Sequence, residues 1–148
     1  MVDIRHRVGI TTDPHRVYDA LATSKGLAQW WTTDVEGDAA PGETLRFFFG
    51  GPDASASFEV VEQDPARRVQ WRCVGGPEDW VGTDVVFDIR TSGEETVLQF
   101  AHANWREPTE FMGHCSTKWA YFLLGLKSGL EGGTFTAYPD EVKISSWG

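Results

Sequence analysis

Two histidines and one cysteine in this chain sit where chemistry toward a buried ligand is conceivable. His102 follows Leu98 and Phe100 at alternate positions, and His6 lies between Ile4 and Val8, so each imidazole shares the apolar face of a strand. Such an imidazole can donate to a ligand carbonyl or act as a general base. It can equally be a core or edge group bonded to backbone. Cys115 falls on the apolar stripe of a long helix, whereas His114 and His15 lie off apolar positions and are expected to be solvated. The four histidines have no paired acidic or cysteine spacing, so neither a metal nor a cofactor is expected.

The familiar catalytic motifs are missing. No GxSxG, Walker loop, GxGxxG after a strand or HExxH occurs. Glu59 alternates with Phe58 and Val60, and Glu62 and Asp64 precede a turn, so these carboxylates face water and offer no acid/base pair. Gln70 and Arg72 fall on the outward face of their strand. Cys73 and Cys115 are separated by a strand and a helix, which favours two reduced buried thiols over a disulfide. No catalytic set is recognisable, so the chain reads as a binding protein more readily than as an enzyme.

Aromatic residues carry the stronger signal. Seven Trp and nine Phe exceed what a minimal core of this length needs, and such side chains suit both dense packing and the wall of a cavity. The candidates for ligand contact are Trp31, Phe47, Phe49, Trp71, Phe87, Phe100, His102, Cys115, Trp119 and Phe122, all from elements expected to surround one interior. Trp80 and Trp105 stand near loops, where an aromatic guards an entrance or packs beneath the loop.

These residues are positioned by a simple order of elements. Ile4, His6, Val8 and Ile10 mark a first strand; Asp13-Pro14 caps a short helix, and Ser24 is placed to cap a second that runs toward Trp30 and Trp31. Gly37 to Gly42 reads as a surface loop. Alternation then gives five more strands, around Leu45-Phe49, Phe58-Val60, Val69-Cys73, Val85-Ile89 and Leu98-His102, with turns at Gly50-Gly51-Pro52-Asp53, Asp64-Pro65, Gly75-Gly76-Pro77 and Ser92-Gly93. Short turns require antiparallel pairing.

From Pro108 to Glu131 one amphipathic helix is predicted, and Gly132-Gly133 ends it. Its stripe comprises Phe111, Met112, Cys115, Trp119, Phe122, Leu123, Leu126 and Leu130. The expected class is α+β with a helix-grip architecture: a curved antiparallel sheet of about six strands around a long C-terminal helix, with two short helices after the first strand. Residues 1–148 are read as a single domain. The pattern leaves open whether the tail from Thr134 onward is ordered.

Composition excludes several partners. With 22 acidic and 13 basic side chains the formal charge is −9, and no basic block interrupts it, which disfavours nucleic acid and anionic membranes. The polar start Met1–Arg7 is no signal sequence and no long apolar run occurs, so a soluble cytoplasmic protein is expected.

The chain resembles the START-like, or SRPBCC, superfamily, and within it the group of homologues of the activator of heat-shock protein 90 ATPase. The resemblance lies in Val8-Gly-Ile10 running into Thr12-Asp13-Pro14, in Val17-Tyr18-Asp-Ala-Leu21 and Leu27-Ala-Gln-Trp30-Trp31, and in Phe58-Glu-Val60 with Asp64-Pro65 before Val69-Gln-Trp71. It continues through Thr96-Val-Leu98-Gln-Phe100-Ala-His102 and from Trp119 to Gly132. Ser57 stands where the group has a Gly or similarly small residue.

The resemblance implies a deep apolar cavity between sheet and helix. Relatives bind lipids, sterols or polyketides, some act as cyclases or aromatases, and the eukaryotic namesake stimulates a chaperone. That namesake has a further N-terminal domain for which this chain is expected to have no room. Three functions follow as expectations. The first is a binding protein for an apolar or amphipathic small molecule. The second is a cyclase-, aromatase- or hydrolase-type enzyme using the same cavity. The third is a chaperone-interacting module; a homodimer is compatible with all three.

Overall fold

The computed structural model describes residues 1–51 and 53–148. The turn expected at Gly50-Gly51-Pro52-Asp53 therefore includes a residue, Pro52, that lies outside the described residues. Chain order is β1 (Val2–Ile10), α1 (Pro14–Ala22), α2 (Ser24–Trp30), β2 (Asp34–Glu36), β3 (Thr44–Phe48), β4 (Ser55–Asp64), β5 (Arg68–Gly75), β6 (Asp84–Ser92), β7 (Glu95–Trp105) and α3 (Glu110–Leu130).

All seven strands form one antiparallel sheet in the order β1-β7-β6-β5-β4-β3-β2. That is one strand more than the sequence shows. Strand β2 has three residues, only Val35 among them half-buried, which is too short for alternation to stand out. Strands β2 to β7 form a meander, and β1 closes onto β7 at the other edge. Helices α1 and α2 therefore carry the chain from one edge of the sheet to the other.

Local chemistry fixes those helices. Asp13 caps α1 by accepting from the His15 amide at 2.7 Å, and Pro14 follows as the first helical residue. The cap of α2 is Thr23, not Ser24: Thr23 Oγ1 accepts from the Gly26 amide at 2.9 Å, while the Ser24 hydroxyl donates to the Gly37 carbonyl. The two hydroxyl residues are adjacent, and only backbone geometry decides which one is extended. Thr23→Ala is expected to cost about 1 kcal/mol, with Thr23→Ser retaining most of it, measured by urea unfolding.

The concave face carries the core. On β5, Val69, Trp71 and Cys73 point inward; on β6, Val85, Phe87 and Ile89; on β7, Leu98, Phe100 and His102, all buried. The outer face is a polar lattice in which Arg68 reaches Glu62, Gln70 and Asp88, and Arg72 reaches Asp84. Helix α3, capped by Thr109, lays Cys115, Trp119, Phe122, Leu123, Leu126 and Leu130 onto the concave face.

The tail is ordered against this body. Phe135 lies on Gly129, where an added Cβ would come within 2.1 Å of its ring, and Tyr121 Oη donates to Thr136 Oγ1 at 3.2 Å. Tyr138 then bridges to the end of α2. Among the described residues no helix is long and apolar enough to cross a membrane.

Candidate functional site

The middle of the grip is packed. Trp31 wedges between α3 and the sheet, with ring centroids 4.4 Å from Phe47, 4.9 Å from Trp119 and 5.8 Å from Trp71. Phe100 meets Trp119 at 4.6 Å, and Phe87 meets both Trp71 and Phe100. A void of about 600 Å³ remains at one end of α3. It is half open to solvent and lies beside the β3–β4 tip (Phe49, Asp53, Ala54, Ser55, Ala56) and the β5–β6 loop (Gly76, Pro77, Trp80). Its remaining walls are α3 residues Phe111, His114, Cys115, Lys118, Trp119 and Phe122, the tail residues Tyr138, Glu141, Lys143, Trp147 and Gly148, and Trp31.

The ten residues expected to contact a ligand divide evenly. Trp31, Phe49, Cys115, Trp119 and Phe122 line the void. Phe47, Trp71, Phe87, Phe100 and His102 do not; they form the solid layer beneath it, because the curved sheet brings its large side chains into mutual contact. Alternation identifies which side chains point inward, but not whether an inward side chain meets another ring or open space.

His102 is a fully engaged core group. The Trp119 indole N–H, a donor only, gives its proton to His102 Nδ1 at 3.1 Å, so the ring carries hydrogen on Nε2 and donates it to Thr83 Oγ1 at 2.8 Å. The Thr83 hydroxyl passes its own hydrogen to the Trp80 carbonyl. Burial pushes the imidazole down to about 3. With both nitrogens occupied it has no lone pair for a substrate. His6 bonds through Nε2 to the Ser116 carbonyl at 3.1 Å and stacks on Phe100, away from the large void and beside a smaller hollow of about 280 Å³.

The thiols are equally quiet. Burial raises Cys73 to about 11 and Cys115, beside Trp80, to about 12, so neither is a thiolate at neutral pH. Among the described residues no three His, Cys, Asp or Glu side chains converge to hold a metal ion.

Sequence reasoning missed the polar part of the wall. Glu141 is buried between two lysines, its Oε2 accepting from Lys118 Nζ at 2.9 Å and its Oε1 from Lys143. Burial raises the Glu141 carboxyl, but the hydrogen bonds from Lys143 and Lys118 outweigh it and hold the group below the usual range. His114, expected to be solvated, is half-buried between Phe111 and Trp147 and bonds Ser145. The missing signal was the tail: no periodic pattern in Thr134–Gly148 shows that it folds back over α3.

The profile of the family described as Activator of Hsp90 ATPase homolog 1-like protein matches residues 11–131. The chain belongs to this family. Family membership accounts for the helix-grip order and covers all elements from α1 to α3, whereas the tail that walls the void lies outside the matched span. The solution structure of the Aha1 dimer from Colwellia psychrerythraea shares 45% identity with the chain over 90% of its length and 98% of that chain, with a TM-score of 0.82. Two further structures show the shared fold alone. Protein SSP2350 from Staphylococcus saprophyticus is 17% identical, covering 92% of this chain and 97% of its own, with a TM-score of 0.76. CalU16 from Micromonospora echinospora is 20% identical, covering 89% and 67%, with a TM-score of 0.72. No curated protein matches the chain.

Proposed function

We propose that this protein is a cytoplasmic, non-enzymatic carrier or sensor of a small apolar or amphipathic molecule held in the void at the end of α3. One observation carries the reading: about 600 Å³ of space walled by the rings of Trp31, Phe49, Trp80, Phe111, Trp119, Phe122, Tyr138 and Trp147. Small-molecule sites span about 300–1,000 Å³ and are mostly apolar, with a few polar groups to fix orientation. Glu141, Lys143 and His114 supply those groups. Flat ring walls favour a flat, unsaturated ligand over a flexible chain, since stacking adds to area burial.

The test uses N-phenyl-1-naphthylamine, an uncharged probe whose fluorescence rises in apolar surroundings. Saturable binding with a Kd on the order of 10 μM is expected. Ala54 is exposed on the rim, so Ala54→Trp fills the space without disturbing the core; it should weaken the probe at least tenfold. Equal binding by both proteins would refute the site.

The enzyme reading loses the residue it named, since both nitrogens of His102 are engaged in the core, and the buried polar group that does reach the void, Glu141, is paired with Lys118 and Lys143. Stimulation of a chaperone ATPase, the property in the family's description, competes with the carrier reading. It is tested by chaperone turnover with and without added protein. A homodimer is favoured by one finding, the dimer formed by the relative at 45% identity, and is checked by light scattering.

A further inference from the structure

The tail that forms one wall of the half-open void is held differently before and after Tyr138. Up to Tyr138 the tail is built into the body: Phe135 covers Gly129, the Tyr138 amide donates to the Trp31 carbonyl at 2.9 Å, and the Thr33 amide donates to the Tyr138 carbonyl at 3.1 Å. Beyond it, the backbone hydrogen bonds seen among the described residues stay within the tail. Asp140 bonds back to Ala137, Ile144 to Gly148, and Gly148 to Ser145. Among the described residues no sheet ladder ties residues 139–148 to the rest.

The most buried tie is one ammonium group. Lys118 Nζ donates to Glu141 Oε2 at 2.9 Å, to the Val142 carbonyl at 3.0 Å and to the Gly148 carbonyl at 2.8 Å. A lysine has three N–H donors, and all three are spent on the tail. Lys118 is only 14% exposed and Glu141 only 4%, so this contact is shielded from water and from salt. A weaker second contact joins His114 Nδ1 to Ser145 Oγ at 2.9 Å, with Trp147 against Phe111 and His114 but 54% exposed.

We infer that residues 139–148 are a flap hinged at Tyr138 and latched by Lys118, and that lifting it widens the mouth through which the ligand enters and leaves. The inference deepens the carrier reading and rests on it for the ligand alone. The flap supplies Glu141, Lys143, Trp147 and Gly148 to the wall of the void, so releasing it removes one side. The other walls belong to α3 and the end of α2, held by helix hydrogen bonds and the packed aromatic layer, and to the β3–β4 tip and the β5–β6 loop, which are anchored at both ends in the sheet. Opening the flap therefore takes fewer broken contacts than parting α3 from the sheet.

Two readouts test this, amide exchange by mass spectrometry and stopped-flow binding of N-phenyl-1-naphthylamine, on the wild type, Lys118→Met and Glu141→Gln. In Lys118→Met, exchange across residues 139–148 should quicken at least tenfold while residues 134–138 and the sheet stay unchanged. Probe association and dissociation should both accelerate about fivefold. Should Lys118→Met fail to fold, Glu141→Gln keeps the shape and an acceptor and should move both readouts in the same direction by a smaller factor. Unchanged exchange in 139–148 overturns the latch. Faster exchange with unaltered probe rates overturns the gate. Probe that fails to bind the wild type refutes the carrier reading, and the exchange readout then decides the latch by itself.

Discussion

Trp31→Ala is expected to remove about 3–5 kcal/mol of folding stability, the largest loss of any single truncation at the site. The side chain is 2% exposed and touches Phe47, Phe49, Phe58, Trp71 and Trp119, so it links α2, the β3–β4 hairpin, β5 and α3 in one contact. Its removal takes away the apolar burial and leaves a hole that stiff neighbouring rings cannot close. Typical domains hold only about 5–15 kcal/mol, so the variant should unfold at a much lower urea concentration. Trp31→Phe should recover part of the loss. A cost below about 1 kcal/mol would mean that the layer under the void is not packed as described.

Acid is expected to destabilise the fold in a window set by His102. Folding drops this imidazole from its ordinary 6.5 to about 3, so between those values the unfolded chain binds a proton that the native state refuses. Stability from this group is complete above about pH 6.5 and falls by about 1.4 kcal/mol per pH unit as pH drops toward 3. The total is on the order of 5 kcal/mol. The physical reason is specific: a proton on Nδ1 would face the Trp119 indole N–H, donor against donor, in a site closed by Trp80 and Trp105. Glu141 acts in the same direction at lower pH, because its native carboxyl titrates below the ordinary range and its contribution is lost as it becomes protonated. Urea midpoints measured from pH 7.5 to 4 should show the slope, and His102→Gln, which can accept from Trp119 and donate to Thr83, should flatten it above pH 5. An unchanged slope in that variant would place the proton elsewhere.

The fold was largely legible because its signals are periodic. Strands β3 and β5 alternate cleanly, β7 less so because Thr96, Val97 and Leu98 are all buried, Asp13-Pro14 marks the start of α1, and the stripe from Cys115 to Leu130 faces the sheet as its spacing requires. What escaped was short or aperiodic: β2 with its three residues, and the choice between Thr23 and Ser24 as cap. The inward face was legible, but not which of its residues border the void. Trp31, Phe49, Cys115, Trp119 and Phe122 line the void, while Phe47, Trp71, Phe87, Phe100 and His102 fill the layer next to it. Both sets obey the same inward pattern, and only three-dimensional packing separates wall from filling. His114, Lys118 and Glu141 were unreadable for a different reason, since their roles depend on a tail whose path is set by Gly129, Tyr138 and Lys118 rather than by any repeat.

The central claim is that the space at the end of α3 holds a small apolar molecule, and native mass spectrometry of freshly purified protein tests it most directly. The wild type should retain a reproducible apolar adduct in the size range of a flat multi-ring compound, and Ala54→Trp, folded but filled, should emerge without it. Identical bare masses for the two proteins, together with no saturable uptake of N-phenyl-1-naphthylamine by either, would contradict the account.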